Sequence, residues 1–257
     1  MPRRKDDRSP SRRSLDILDA FTEAQPVLTL SQIARISDLP LPTAHRLVAE
    51  LLAWGALERD DSGALQIGLH LWEIAALAPR ALGLREIAMP FIEDLYEATH
   101  QNVSLAAREG SEVLYLERVS GREAVGILAK VGSRWPLHAT GVGLVLLAFA
   151  PIELQEQVLA TPLQRFTPKT IGDQGELRAT LAEIRRTGVA ISDRQITLDA
   201  ISVAAPIHDR NGRVVAAISL VLPSAETSQG QYVPLVRTSA RGISRALGWG
   251  FASSNRS

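Results

Sequence analysis

The sequence contains no cysteine, which excludes disulfides, thiolate zinc sites and thiol nucleophiles. It also lacks a net charge, with 28 basic and 28 acidic side chains among 257 residues. Large basic surplus is the usual footprint of a nucleic-acid binder, and composition gives none here. Long hydrophobic runs are missing too. The best, Gly141 to Ala150, is roughly half the ~20 residues that a membrane-spanning helix needs. The first twenty residues are charged and have no apolar signal-peptide core. A soluble, cytoplasmic protein without a membrane partner is the expectation. No Gly-x-Ser-x-Gly, phosphate-binding loop or His-Glu-x-x-His occurs. The five histidines are scattered without metal-ligand spacing. The sequence therefore points away from an enzyme, a metal or another cofactor; His138 is expected to be a structural histidine.

What is present is patterned. Apolar residues make up 46% and charged residues 22% of the chain, values of ordinary globular proteins, and the length suggests about two domains. Charge is unevenly spread. Residues 1–13 hold six basic against two acidic side chains, and residues 14–60 hold three against seven. Residues 1–12 read as a disordered basic arm. From Ser14 an amphipathic helix is expected, with Leu15, Leu18 and Phe21 on its apolar side. Thr29 and Gln32 form a capping box for a second helix reaching about Ile36. Ser37-Asp38 breaks it, Asp being tolerant of the left-handed conformation. Pro42 suits the first turn of a third helix, where its missing N–H costs nothing. Ala44, Leu47, Val48 and Leu51 then share one face, which turns Arg46 and Ala49 outward and leaves Thr43 and His45 on the flanks. Gly55 is the expected C-cap. Asp60-Asp61-Ser62-Gly63 reads as the turn of a two-stranded wing.

This order, helix–turn–helix–hairpin, is that of a winged helix-turn-helix, whose second helix enters the DNA major groove. Thr43, His45 and Arg46 are placed for base or phosphate contacts, and Arg12, Arg13 and Arg59 for phosphates. Leu69 to Leu82 has too many apolar positions for a solitary surface helix and reads as a packed linker or dimer helix. Residues 84–96 make another helix, with Ile87, Phe91, Ile92 and Leu95 as its apolar face. Beyond Val103 the pattern becomes strands: 103–108, 113–119, 124–131, 200–208 and 214–223. Among these lie helices within 136–150, over 152–159, from Asp173 to Thr187 with Gly188 as C-cap, and over 232–247. Mixed helices and antiparallel hairpins argue an α+β domain.

The segments Leu30-Ser-Gln-Ile-Ala, Leu39-Pro-Leu-Pro-Thr-Ala-His-Arg-Leu and Leu137-His-Ala-Thr-Gly-Val-Gly-Leu-Val-Leu-Leu-Ala go further than pattern. With Glu176-Leu, Ile184-Arg-Arg-Thr-Gly, Ser202-Val-Ala-Ala-Pro-Ile and Val214-Val-Ala-Ala-Ile-Ser, they make the chain resemble the IclR family of transcriptional regulators over nearly its whole length. The resemblance implies a winged helix-turn-helix over 13–68, a linker helix over 69–84, a GAF-like effector-binding domain over 85–250 and a disordered tail over 251–257. It implies a repressor of a catabolic or metabolic operon, a homodimer or dimer of dimers on double-stranded operator DNA. The effector it implies is a small organic or aromatic acid.

The family often carries Gly where Asp38 stands and Ser where Pro42 stands; the second exchange removes a hydroxyl available to phosphate, although Pro42 keeps its place at the DNA face. The effector residues implied by the resemblance are Thr140, Gly141, Val142, Gly143, Asp193, Val203, Ser219 and Val221. Backbone N–H groups at the Gly-x-Gly helix start suit an anionic ligand; a structural glycine pair is the alternative. Some members carry Cys at the place of Val203 and Ser at that of Val221, so a more apolar wall and a larger or more hydrophobic effector are expected. A different class of function also fits the neutral first 60 residues: a metabolite-binding protein whose winged helix contacts another protein.

Overall fold

The computed structural model describes residues 8–22, 24–77, 79–121, 124–225 and 229–250, with the side chains of 79–82 excepted. The chain divides into two compact units, Met1–Leu82 and Gly83–Ser257. Among the described residues no helix is long and apolar enough to cross a membrane.

The first unit begins with α1 (Pro10–Leu18). The arm expected through residue 12 is shorter than that. Ser9 caps the helix by accepting a hydrogen bond from the Arg12 amide at 3.1 Å, and Pro10 fills the first turn. Residues 1–7 and the tail over 251–257 lie outside the described residues. Ile17 is fully buried, whereas Leu15 is exposed. The apolar stripe runs through Ile17, Leu18, Ala20 and Phe21, so of the expected face Leu18 and Phe21 pack on the core and only Leu15 lies outside it.

After β1 (Val27–Leu28), α2 (Leu30–Ile36) carries the full capping box. Gln32 donates its amide to Thr29 Oγ1, and Thr29 donates its amide to Gln32 Oε1 at 2.8 Å. Asp38 takes a left-handed φ of 52°, as the break requires. The third helix, α3 (Leu41–Trp54), starts one residue before Pro42 and ends on Gly55 at φ 86°. Ala44, Leu47 and Val48 pack with Ile17, Ile33, Leu57 and Leu65. The wing is β2 (Leu57–Arg59) against β3 (Leu65–Ile67), with β1 completing the sheet in the order β1-β3-β2. A short α4 (Leu69–Ala75) follows.

The single helix expected over 69–84 is not formed. The helix after α4 is a new one, α5 (Pro79–Thr99). Pro79 has no amide to continue the α4 ladder, and its fixed φ suits a helix start.

The second unit is a six-stranded antiparallel sheet in the order β6-β5-β4-β9-β8-β7. Its strands are β4 (Asn102–Glu109), β5 (Glu112–Val119), β6 (Arg134–Pro136), β7 (Ala190–Asp193), β8 (Ala200–His208) and β9 (Val214–Pro223). The strand expected over 124–131 does not exist; β6 takes the place beside β5. The displaced stretch ends in a turn, where Gly132, at φ 83°, donates its amide to the Tyr115 carbonyl.

Side-chain alternation separates two layers. Val203, Ala205, Ile207, Ile218, Leu220 and Leu222 face one layer with α5 and α9 (Val233–Ala246). Tyr115, Ala204 and Ala217 face the other. That second layer contains α6 (Gly141–Ala148), buried at every residue, together with α7 (Ile152–Ala160) and α8 (Gln174–Thr187). The α+β, antiparallel organisation is the one expected from the sequence.

Candidate functional site

Two surfaces carry chemistry, one in each unit. On α3 the burial of Ala44, Leu47 and Val48 turns Pro42, His45, Arg46, Ala49 and Glu50 to solvent, with Thr43 half-buried beside them. Arg46 Nη1 donates to Glu50 Oε1 at 2.6 Å one turn along the helix. Such an exposed pair contributes little to stability, so Arg46 can leave it for a stronger acceptor. Arg59 Nη1 donates to the Gly63 carbonyl at 2.7 Å across the wing. Asp60 holds the same turn by accepting from the Ser62 hydroxyl at 2.7 Å and the Ala64 amide at 3.0 Å. Chiefly through Ser62, these bonds keep its carboxyl below the usual range. Arg12 is paired with Asp16 at 2.8 Å on α1, and Arg13 is half-buried on the same helix.

Sequence reading missed Arg8. Its guanidinium donates to the carbonyls of Ser37 and Asp38, both at 3.0 Å, and to Asp16 at 2.8 Å. It thereby ties the chain before α1 to the turn that introduces α3. Cations suit the C-terminal end of a helix such as α2. No local motif announces a contact 29 residues away.

The second surface is a cavity between α6 and the sheet, enclosing about 550 Å³ of free space that is partly open to solvent. Ser104 on β4, Ser219 on β9, Ser202 on β8 and Ser192 on β7 all line it. Ladder register aligns Ser104 with Ser219 and Ser202 with Ser192, giving four neighbouring strands a hydroxyl-bearing floor. Trp135, Ile127, Leu128, Ile196 and Val221 supply apolar wall, and among the described residues no lining side chain is charged. The expected apolar wall is therefore only half of the lining.

Thr140 caps α6 by accepting the Gly143 amide at 3.0 Å, and it also hydrogen-bonds the Tyr115 hydroxyl. Burial pushes the Tyr115 phenol up to about 12, so it stays protonated. Gly141 lies against Ser202: a Cβ there would be 2.6 Å from Ser202 Oγ. The bare backbone at the start of α6 thus approaches the cavity closely.

Of the effector residues expected, Thr140, Gly141, Ser219 and Val221 line this cavity. Four do not. Val203 belongs to the opposite layer with α5 and α9. Strand alternation makes Ser202 the inward neighbour, a one-residue slip that flips the face. Asp193 is in the same position relative to Ser192; its carboxylate points to Arg194, at 2.7 and 2.9 Å, which holds it below the usual range. Val142 packs into the core. Gly143 has a structural role, since a Cβ there would come within 2.5 Å of the Leu137 carbonyl. Alternation along 190–193 and 200–204 was the available signal for Ser192 and Ser202. Gln195 had none. Its backbone is fixed by Arg194 at φ 55° and by Thr170, which donates its hydroxyl to the Gln195 carbonyl at 2.5 Å.

His138 bonds the Gln164 carbonyl through Nε2 at 2.9 Å. His208 stacks on Trp249 and meets Phe149 edge-on. Burial lowers both imidazoles below their ordinary range. The unfolded chain then binds more protons than the fold just below about pH 6.5. Stability is expected to be full above that pH and to decline as the pH falls through it. Thermal unfolding at pH 8 and pH 5.5 should show the drop, and His208→Phe should reduce it, leaving the share of His138. An unchanged midpoint would contradict the assignment. Among the described residues no group of three or more His, Asp or Glu side chains is arranged to hold a metal.

Comparison with known proteins places both units in one family. Residues 12–61 match the IclR helix-turn-helix domain, and residues 77–245 match the C-terminal domain of bacterial IclR transcriptional regulators. The chain is 34% identical over 241 residues to the HTH-type transcriptional repressor AllR of Escherichia coli K12, covering 92% of this chain and 89% of AllR. It is 30% identical over 241 residues to the regulator KipR of Bacillus subtilis 168, covering 92% and 96%. Among solved structures, an IclR homologue from Microbacterium hydrocarbonoxydans complexed with 4-hydroxybenzoate superposes with a TM-score of 0.89. That chain is 39% identical, with 93% of this chain and 99% of that one covered.

Proposed function

The chain belongs to the IclR family of bacterial transcriptional regulators, and from that premise we propose that it is a cytoplasmic repressor of a metabolic operon, released from its operator by a small aromatic or other organic acid. It acts by binding rather than by catalysis. The observation that carries the reading is the exposed face of α3, where Pro42, His45 and Arg46 stand clear of the core with Thr43 at their flank. Arg46 reads guanine through O6 and N7 or clamps a phosphate. Arg59 on the wing and Arg12 and Arg13 on α1 contact the backbone, which positions the protein without specifying sequence.

The effector seats in the cavity beneath α6, its anionic end toward the Gly141 backbone and the Thr140 cap, its body against Trp135 and Val221. The 4-hydroxybenzoate in the similar Microbacterium structure supports that ligand class. Ligand binding changes operator affinity only if the ligand prefers one arrangement of the protein over another. The working form is a homodimer or a dimer of dimers, with two α3 helices in successive major grooves and a pseudo-palindromic operator. The exposed Leu69, Trp72 and Leu77 on and after α4 support self-association, as large apolar patches do.

The test is operator binding by fluorescence anisotropy. Arg46→Ala is expected to cost about 1–3 kcal/mol of binding free energy. Unchanged affinity would remove Arg46 from the interface. Binding should also weaken steeply with added salt through counterion release; indifference to salt would favour a protein partner for the winged helix.

A further inference from the structure

Where the wing runs into α4, the backbone makes a close joint with the end of α3. Gly55, left-handed at φ 86°, caps α3, and Gly68 caps the start of α4. The Gly68 amide donates to the Ala56 carbonyl at 2.9 Å. A Cβ on Gly68 would collide with the Gly55 carbonyl oxygen, and one on Gly55 would lie 3.1 Å from His70 Cβ. The two glycines thus let two stretches of backbone touch. Beside them Trp54, the last residue of α3, meets His70 in the first turn of α4 edge to face, with ring centroids 4.6 Å apart. His70 Nδ1 lies 2.8 Å from Glu73 Oε2 one turn further on, which fixes the orientation of the imidazole.

Among the described residues α4 buries no side chain. Its direction relative to α3 is therefore set where the two helices meet. The chain from α5 onward is joined to the winged helix through α4. Any surface beyond Gly68 that pairs two copies places each α3 through this joint.

We propose that the joint sets the half-site spacing of the dimer. Gly55 and Gly68 bring α4 against the end of α3, and Trp54 and His70 hold its direction, so that two α3 helices meet DNA at one separation and one angle. The inference rests on the chain binding operator DNA as a homodimer. Trp54 and His70 are positioning residues. Trp54 stands roughly 12 Å along α3 from Arg46, and recognition helices read bases from their N-terminal ends. Half-site separation is a geometric property of a dimer, and two heads reinforce each other only where their link allows both to engage.

The experiment uses the full-length protein and duplexes that it selects from a random-sequence pool. Fluorescence anisotropy gives its affinity for the selected duplex, for that duplex with one base pair inserted between the half-sites, and for a half-site alone. The insertion turns one half-site by roughly 34° against the other. The wild type is expected to lose about 100-fold or more, down to half-site affinity. In Trp54→Ala and His70→Ala the same insertion should cost about tenfold less than in the wild type, with half-site affinity unchanged. His70→Phe keeps a ring against Trp54 and should keep the full penalty. A wild-type penalty in both alanine variants, a lost penalty in His70→Phe, equal wild-type affinity for the two duplexes, or loss of half-site affinity in both alanine variants would overturn the inference and leave DNA binding in place. Selection of no duplex, or of single half-sites only, would reject the dimeric operator reading itself.

Discussion

Leu47→Ala is expected to abolish operator binding without touching DNA, while ligand binding by the second unit survives. Leu47 is 1% exposed and sits where α3 meets Ile17, Ile33, Leu57 and Leu65. Truncating a buried leucine costs about 2–5 kcal/mol through lost transfer energy and the cavity left behind. A unit of this size holds a total stability of roughly 4–12 kcal/mol, so the loss is a large share of the whole. The second unit has its own two apolar clusters, one on each face of its sheet. Thermal unfolding should therefore show an early transition that is absent from the wild type. Full operator affinity in the variant, or a single transition that takes ligand binding with it, would contradict the picture of two separately built cores.

Gly143→Ala is expected to be nearly as severe in the second unit. An added Cβ would lie 2.5 Å from the Leu137 carbonyl oxygen and 2.6 Å from Thr140 Oγ1. The carbonyl is backbone and cannot swing aside, and the hydroxyl is the cap that accepts the Gly143 amide. Overpacking costs about 1–3 kcal/mol and a lost cap about 1 kcal/mol. Because α6 is buried along its full length, no exposed side relieves the strain. A lower melting temperature together with loss of ligand-induced stabilisation is the expected result. Gly83→Ala is the matched control. It meets nothing within 4 Å inside α5 and should be neutral or stabilise by about 0.4–1 kcal/mol. Equal melting temperatures for the two variants would sink the steric argument.

The DNA-binding unit was legible because local chemistry decides it. Thr29 and Gln32 can cap only a helix that starts between them, and Asp38, Gly55 and Gly63 mark places where the backbone turns left-handed. Short, self-contained signals of this kind survive folding. The start of α1 was misplaced because Ser9 and Pro10 lay in a stretch whose charge suggested an arm, and charge says nothing about capping. The break between α4 and α5 was placed near residue 83 rather than before Pro79 because apolar content was weighed above the proline.

The cavity was half legible. Resemblance led to the right strands, but which residue of each pair points inward is set by ladder register, and register depends on partners far away in sequence. Val203 and Asp193 were each one position from the inward side chain. Gln195 could not be found at all, since the turn that brings it to the cavity is held by Thr167 and Thr170, more than twenty residues away.

The floor of small hydroxyl side chains separates two kinds of change that most cores confound. On β4, β8 and β9 the residues facing α5 and α9 are mostly Val, Ile and Leu in dense contact, while their neighbours facing α6 are mostly Ser and Ala. A substitution on the second set resizes or recharges the cavity while the first set keeps the sheet intact. Ligand preference in such a domain is free to drift by single steps, without a compensating change in the fold that relays it.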